Sequence, residues 1–229
     1  FSIKFIYKVV NFESFMHDVL NKLLLINNEI QKKNSNVKII AVTKTFPLNT
    51  VLPLINHGHI DYGENKVQEA LEKWSSLKED FPKIKLHMIG KLQTNKVKYA
   101  LPLFDYIHSL DSFKLAQKIH NEQKKTNKKI KIFIQVNLGN EDQKSGISPE
   151  NLEEFYKKCN DELELKIIGL MCIPPNDRNS DLYFSKMNKL LNTIGLKELS
   201  MGMSNDYLKA VDHNSSFIRI GSKIFGNRS

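Results

Sequence analysis

Apolar and polar positions along this chain switch between two periods. Short runs rich in β-branched residues recur through its whole length, separated by longer stretches in which apolar residues return every three or four positions. Eight of the short runs read as strands: Val37 to Thr43, Ile60 to Gly63, Lys85 to Ile89, Tyr106 to Ser109, Ile130 to Asn137, Leu165 to Cys172, Leu196 to Met201 and Phe217 to Gly221. The stretches between them read as helices. Asp111 stands where a capping residue opens one of them, and Ser148-Pro149-Glu150 opens another with proline in its first turn. Asn11 to Lys33 reads as an extra helix in front of the first strand.

Strands that alternate with helices run parallel and are joined by right-handed crossovers, and eight such units close into a (β/α)8 TIM-type barrel. An open doubly wound sheet is the alternative, but no GxGxxG turn follows the first strand, where that fold often holds a dinucleotide. With no internal repeat and no proline- or glycine-rich linker, residues 1 to 229 are expected to form a single domain. No apolar run approaches the roughly 20 residues that cross a bilayer, so no membrane association is expected. Cys159 and Cys172 lack CxxC spacing, which suits a reducing compartment and points to the cytoplasm. The apolar opening Phe1 to Val10 carries no cleavage pattern and reads as a frayed leader, or as part of an organellar one, since no initiating methionine is present.

A formal charge of +9 raises nucleic acid as a partner. All but three of the 34 basic residues are lysines, the exceptions being Arg178, Arg219 and Arg228, and the lysines are scattered through every segment. The densest run, Lys124 to Lys131, has no interleaved aromatics on which bases would stack, and it falls where a helix ends and a strand begins. The excess is compositional, and no nucleic-acid partner is expected.

Chemistry in such a barrel gathers at the C-terminal ends of the strands. Lys44 follows the first strand, at the mouth of an apolar core where desolvation lowers a lysine pKa and frees its amine to attack an aldehyde; the ordinary reading is a solvated lysine at a strand end. The seventh strand ends in Ser200-Met-Gly-Met-Ser204, where Ser204 is placed to cap a helix from Asn205, and the eighth in Arg219-Ile-Gly-Ser222, where Gly221 lets backbone approach an anion and Ser222 offers a hydroxyl. Both tails equally suit ordinary turns. Asn65, after the second strand, shares the rim with Lys44, although asparagine also commonly starts a helix. His87, with His57 and His59, is a conceivable metal ligand, but no carboxylate lies at ligand spacing and no metal is expected.

Taken in order, seven segments resemble the pyridoxal phosphate homeostasis protein family, whose fold is similar to the N-terminal barrel of alanine racemase. They are Ala41-Val-Thr-Lys44, Tyr62-Gly-Glu-Asn-Lys-Val-Gln-Glu69, His87-Met-Ile-Gly-Lys-Leu-Gln-Thr-Asn-Lys96, Gln135-Val-Asn137 with Lys144-Ser-Gly146, Gly169-Leu-Met171, Leu199-Ser-Met-Gly-Met-Ser204, and Arg219-Ile-Gly-Ser222 with Ile224-Phe-Gly226. The resemblance implies pyridoxal 5'-phosphate (PLP) as cofactor, held as a Schiff base on Lys44. It implies that Ser204, Gly221 and Ser222 hold the phosphate, that Asn65 lies by the ring's polar edge and that Arg219 faces the pyridine nitrogen; Ser200 is counted in the same cofactor-binding set. Lys91 and Lys66 depart from the family pattern, and neither belongs to that set.

The resemblance implies a protein that binds, buffers and delivers PLP rather than an enzyme, with PLP-dependent apoenzymes as recipients and the chain expected to be a monomer. The first competing reading is a PLP-dependent amino-acid racemase or another weak PLP enzyme, and a basic nucleic-acid-binding protein is the second. A racemase requires a second acid/base group besides the lysine, which racemases of this fold supply as a tyrosine from a C-terminal β-domain, and the chain is expected to lack that domain.

Overall fold

The computed structural model describes residues 18–139, 145–175 and 179–226, so Phe1 to Val10 and Lys144 lie outside the described residues. A helix over residues 18–31 (α1) precedes eight strands: β1 Lys38–Val42, β2 Asp61–Glu64, β3 Lys85–Met88, β4 Tyr106–Leu110, β5 Lys131–Val136, β6 Ile167–Cys172, β7 Glu198–Ser200 and β8 Phe217–Ile220. Each lies within two residues of the run read from the sequence at its start and its end. All pair in parallel, each with its successor, and β8 returns to β1 with Ile40 opposite Arg219, so the sheet is a closed barrel with no exposed edge.

Helices α2 Leu48–Asn56, α3 Val67–Trp74, α4 Leu77–Asp80, α5 Val97–Leu103, α6 Phe113–Thr126, α7 Leu152–Lys157, α8 Ser180–Thr193 and α9 Tyr207–Asp212 fill the crossovers, and the single turn α10 Ser222–Phe225 follows β8. The cap of α6 is Ser112 rather than Asp111: Ser112 is fully extended and its Oγ accepts from the Leu115 N–H, the i to i+3 geometry that a capping side chain needs. Ser148 is the extended residue before the Pro149 turn, as expected, although its side chain makes no capping bond.

Alternation along the strands divides the apolar residues into two cores. Ile39, Ala41, Leu86, Ile132, Ile134 and Leu199 face outward and pack with the helices. Ile40, Tyr106, Phe133, Met171 and Phe217, from five different strands, meet one another, which strands of a closed barrel allow only through its interior. Gly63 is needed here, since a Cβ would lie 2.8 Å from Ile40 Cγ2.

Three lysines of the basic run across the end of α6 have partners within the chain. Lys125 pairs with Glu122, Lys128 donates to the Pro102 and Phe104 carbonyls at 2.9 and 3.1 Å, and Lys131 donates to the Tyr106 hydroxyl at 3.1 Å. Among the described residues, no helix is long and apolar enough to cross a membrane, and no group of three or more His, Cys, Asp or Glu could hold a metal ion.

Candidate functional site

The ends of β1, β2, β3, β6, β7 and β8 enclose a cavity of about 850 Å3. Lys44, Asn65, Ser204, Arg219, Gly221 and Ser222 all line it, so residues separated by as many as 178 positions share one space. Its remaining wall is largely apolar, with Val42, Ile89, Ile173 and Pro174. The volume falls within the roughly 300–1,000 Å3 of small-molecule sites.

Lys44 is half-buried and stands two residues past β1. The chain turns immediately afterwards: Thr45 has φ +67°, a left-handed conformation that is strained for a β-branched residue, and the Phe46 N–H closes back on the Thr43 carbonyl at 3.1 Å. Behind the turn lies a brace. Glu64 is fully buried, and its Oε1 accepts from Thr43 Oγ1 at 2.7 Å, Lys73 Nζ at 2.9 Å and Trp74 Nε1 at 2.9 Å; Lys73 also donates to the Thr43 carbonyl at 2.7 Å. These bonds tie the base of Lys44 to α3. Asn65 is held from the other side, because Gly90 packs so closely that a Cβ there would lie 2.3 Å from the Asn65 carbonyl oxygen.

The loops after β7 and β8 meet at Ser204, whose Oγ accepts from the Lys223 N–H at 3.3 Å. Ser204 is not the cap of the following helix. Asp206 takes the turn instead, accepting from the Met203 N–H at 2.6 Å, so α9 starts at Tyr207 and the Ser204 hydroxyl is left facing the cavity region. Gly202 is required for the turn: its φ is +91°, and a Cβ would lie 2.5 Å from Ala210 Cβ. At Gly221 a Cβ would lie 3.4 Å from Val42 Cβ, in the lining of the cavity itself.

Arg219 is almost fully buried at 5% exposure. Its NH1 donates to the carbonyl and the hydroxyl of Ser200 at 2.7 and 2.8 Å, and its NH2 to the Cys172 carbonyl at 2.8 Å. Burial pushes its pKa down from the ordinary arginine value, and among the described residues no carboxylate bonds to it directly. Ser200 itself does not line the cavity; it is fully buried behind Arg219. His87, the conceivable metal ligand, lies inside the barrel between Asp61 and His108, bonded to each at 2.9 Å. Sequence reasoning passed over His108, Glu64, Lys73 and Trp74. The signal for His108 is the strand period, which turns it inward with Tyr106; the Glu64 brace needs the β2–α3 packing and carries no local signal.

Residues 25–229 match the family of the alanine racemase N-terminal domain. Among solved structures, PipY of Synechococcus elongatus PCC7942, determined without PLP and with PLP bound, superposes with TM-scores of 0.83 and 0.82 at 31% and 30% identity, over 91% of this chain and all of that one. An alanine racemase of Clostridium difficile 630 shares the fold, with a TM-score of 0.71 at 17% identity, over 93% of this chain and 57% of the racemase. A pyridoxal phosphate homeostasis protein of Aquifex aeolicus is 38% identical over 83% of this chain and 87% of its own length. The chain belongs to the pyridoxal phosphate homeostasis protein family.

Proposed function

We propose that this protein binds PLP in the cavity, held covalently through Lys44, and serves PLP homeostasis by limiting the free aldehyde and passing it to apoenzymes. The observation that carries this reading is the convergence of an amine, a guanidinium, two hydroxyls and an amide on one apolar-walled cavity. When bound, PLP supplies an aldehyde that condenses with an amine, releasing water, and an electron-withdrawing pyridine ring.

The chain's own groups fit each part of that molecule. Lys44 supplies the amine, and Ser204, Ser222 and the glycine backbone at 221 supply donors for a phosphate. Asn65 offers an amide to a ring substituent, while Val42, Ile89 and Ile173 offer apolar contact to the ring faces. Arg219 would offer the ring nitrogen a donor that keeps its own proton, which would leave that nitrogen unprotonated and weaken the ring as an electron sink. Ser200 acts through Arg219.

Racemisation needs a second proton-transfer group opposite the lysine. Among the described residues lining the cavity there is no tyrosine or histidine, and the one carboxylate, Asp206, is engaged by the Met203 N–H. This supports a binding role over turnover; the form proposed to carry it out is a cytoplasmic monomer. The test is a visible-absorbance titration with PLP, followed by mixing with a PLP-requiring apoenzyme and an alanine racemase assay. Uptake, recovery of the apoenzyme's activity and racemisation no faster than with free PLP are expected; turnover well above free PLP would overturn the carrier reading.

A further inference from the structure

Five polar side chains cross the interior of the barrel in one unbroken line. Asp61 Oδ1 lies 2.9 Å from His87 Nε2, His87 Nδ1 lies 2.9 Å from His108 Nε2, His108 Nδ1 lies 2.9 Å from Ser200 Oγ, and Ser200 Oγ lies 2.8 Å from Arg219 NH1. His87, His108 and Ser200 are fully buried, Asp61 and Arg219 nearly so. The line starts at the first residue of β2, at the barrel's N-terminal end, and finishes at the cavity.

We infer that Asp61, His87, His108 and Ser200 form a one-way hydrogen-bond relay that fixes the position of Arg219, and are therefore positioning residues for the cofactor although none of them lines the cavity. The direction follows from the two ends. A guanidinium only donates and an ionised carboxylate only accepts. The Asp61 carboxylate takes a hydrogen from His87 Nε2; a neutral His87 then accepts at Nδ1 from His108 Nε2, and a neutral His108 accepts at Nδ1 from the Ser200 hydroxyl, whose oxygen accepts from Arg219. Each imidazole is neutral, giving one hydrogen and taking one. In that order a proton added to His87 would set its Nδ1–H against the His108 Nε2–H, and one added to His108 would set an Nδ1–H against the Ser200 hydroxyl hydrogen.

The ring planes are held by flat stacking, His87 on Tyr106 with centroids 4.3 Å apart and 8° between planes, and His108 on Phe133 at 4.4 Å and 18°. Five polar side chains in an interior otherwise filled by Ile40, Tyr106, Phe133, Met171 and Phe217 cost stability unless every bond is made, so the relay is rigid or it is absent. Its rigidity is passed to Arg219 through the Ser200 hydroxyl.

This inference rests on the PLP reading for its consequence but not for its geometry, and two measurements separate the failures. Nitrogen-15 NMR of the protein without PLP reads the tautomers: the relay requires Nε2–H and bare Nδ1 on both His87 and His108 at neutral pH, and an Nδ1–H or an imidazolium on either overturns it. PLP titration then compares wild type with Ser200→Ala and Ser200→Thr. Losing one bond to a charged donor weakens PLP binding by about tenfold and shifts the visible band of the bound cofactor in Ser200→Ala, whereas the hydroxyl of Ser200→Thr restores both to within about threefold of wild type. A merely structural serine would lower the unfolding midpoint and leave the band unmoved, which overturns the positioning role. Wild type that takes up no PLP while showing the required tautomers removes the cofactor reading and the positioning role with it, and leaves the relay geometry standing.

Discussion

Lys73 and Glu64 form an ion pair of 2.9 Å under the turn that carries Lys44, with Lys73 12% exposed and Glu64 not at all. The same ammonium donates to the Thr43 carbonyl, and the carboxylate also collects Thr43 and Trp74. Such a pair is weak evidence for stability as a whole, because desolvation offsets the attraction, but removal of one partner strands the other. Glu64→Leu is expected to cost about 3–5 kcal/mol, and the double variant with Lys73→Met is expected to recover part of that. Urea unfolding of the cycle, followed by fluorescence of Trp74, the single tryptophan, checks it; a Glu64→Leu loss below about 1 kcal/mol would contradict the brace.

Gly202 holds the turn that presents Ser204. Gly202→Ala places a methyl group against Ala210 in a left-handed backbone, so a loss of about 2 kcal/mol or more is expected, together with weaker PLP binding as the loop moves. A denaturant midpoint equal to wild type would show that the loop yields without cost.

Burial holds His59, His87 and His108 below the ordinary histidine pKa, partly opposed at His59 and His87 by Asp61 and reinforced at His108 by His87 and Arg219. The unfolded chain therefore binds more protons than the folded one below the unfolded value of about 6.5. The resulting stability is complete above that value and is lost as pH falls through it, by up to about 1.4 kcal/mol per pH unit for each histidine. Urea midpoints measured from about pH 7 to about pH 5 are expected to fall, with a shallower fall in His108→Phe. The surface carboxylates Glu153, Glu154 and Asp181, whose ion pairs hold them below the ordinary range, titrate under this window, and a flat profile across it would mean that the interior histidines are not buried neutral.

The strands were legible because parallel barrel strands read as short β-branched runs, and the shared rim of Lys44, Asn65, Ser204, Gly221 and Ser222 was legible because each follows a strand end within four residues. Ser204 as a helix cap was misread, since Asp206 competes for the same turn with a better-placed carboxylate. Thr45 carried no sign of its left-handed conformation, a state that β-branched side chains disfavour and that only the surrounding packing imposes. The interior line from Asp61 to Arg219 joins five strands, and its partners are as much as 92 residues apart, so no local spacing announces it.

The central claim is that one lysine among the many in this chain holds the cofactor. Borohydride reduction of the PLP-loaded protein, followed by peptide mass spectrometry, tests it most directly. A pyridoxyl group confined to the peptide containing Lys44, and absent from the Lys44→Ala protein, is the predicted result; label spread over other lysines, or undiminished in Lys44→Ala, would contradict it.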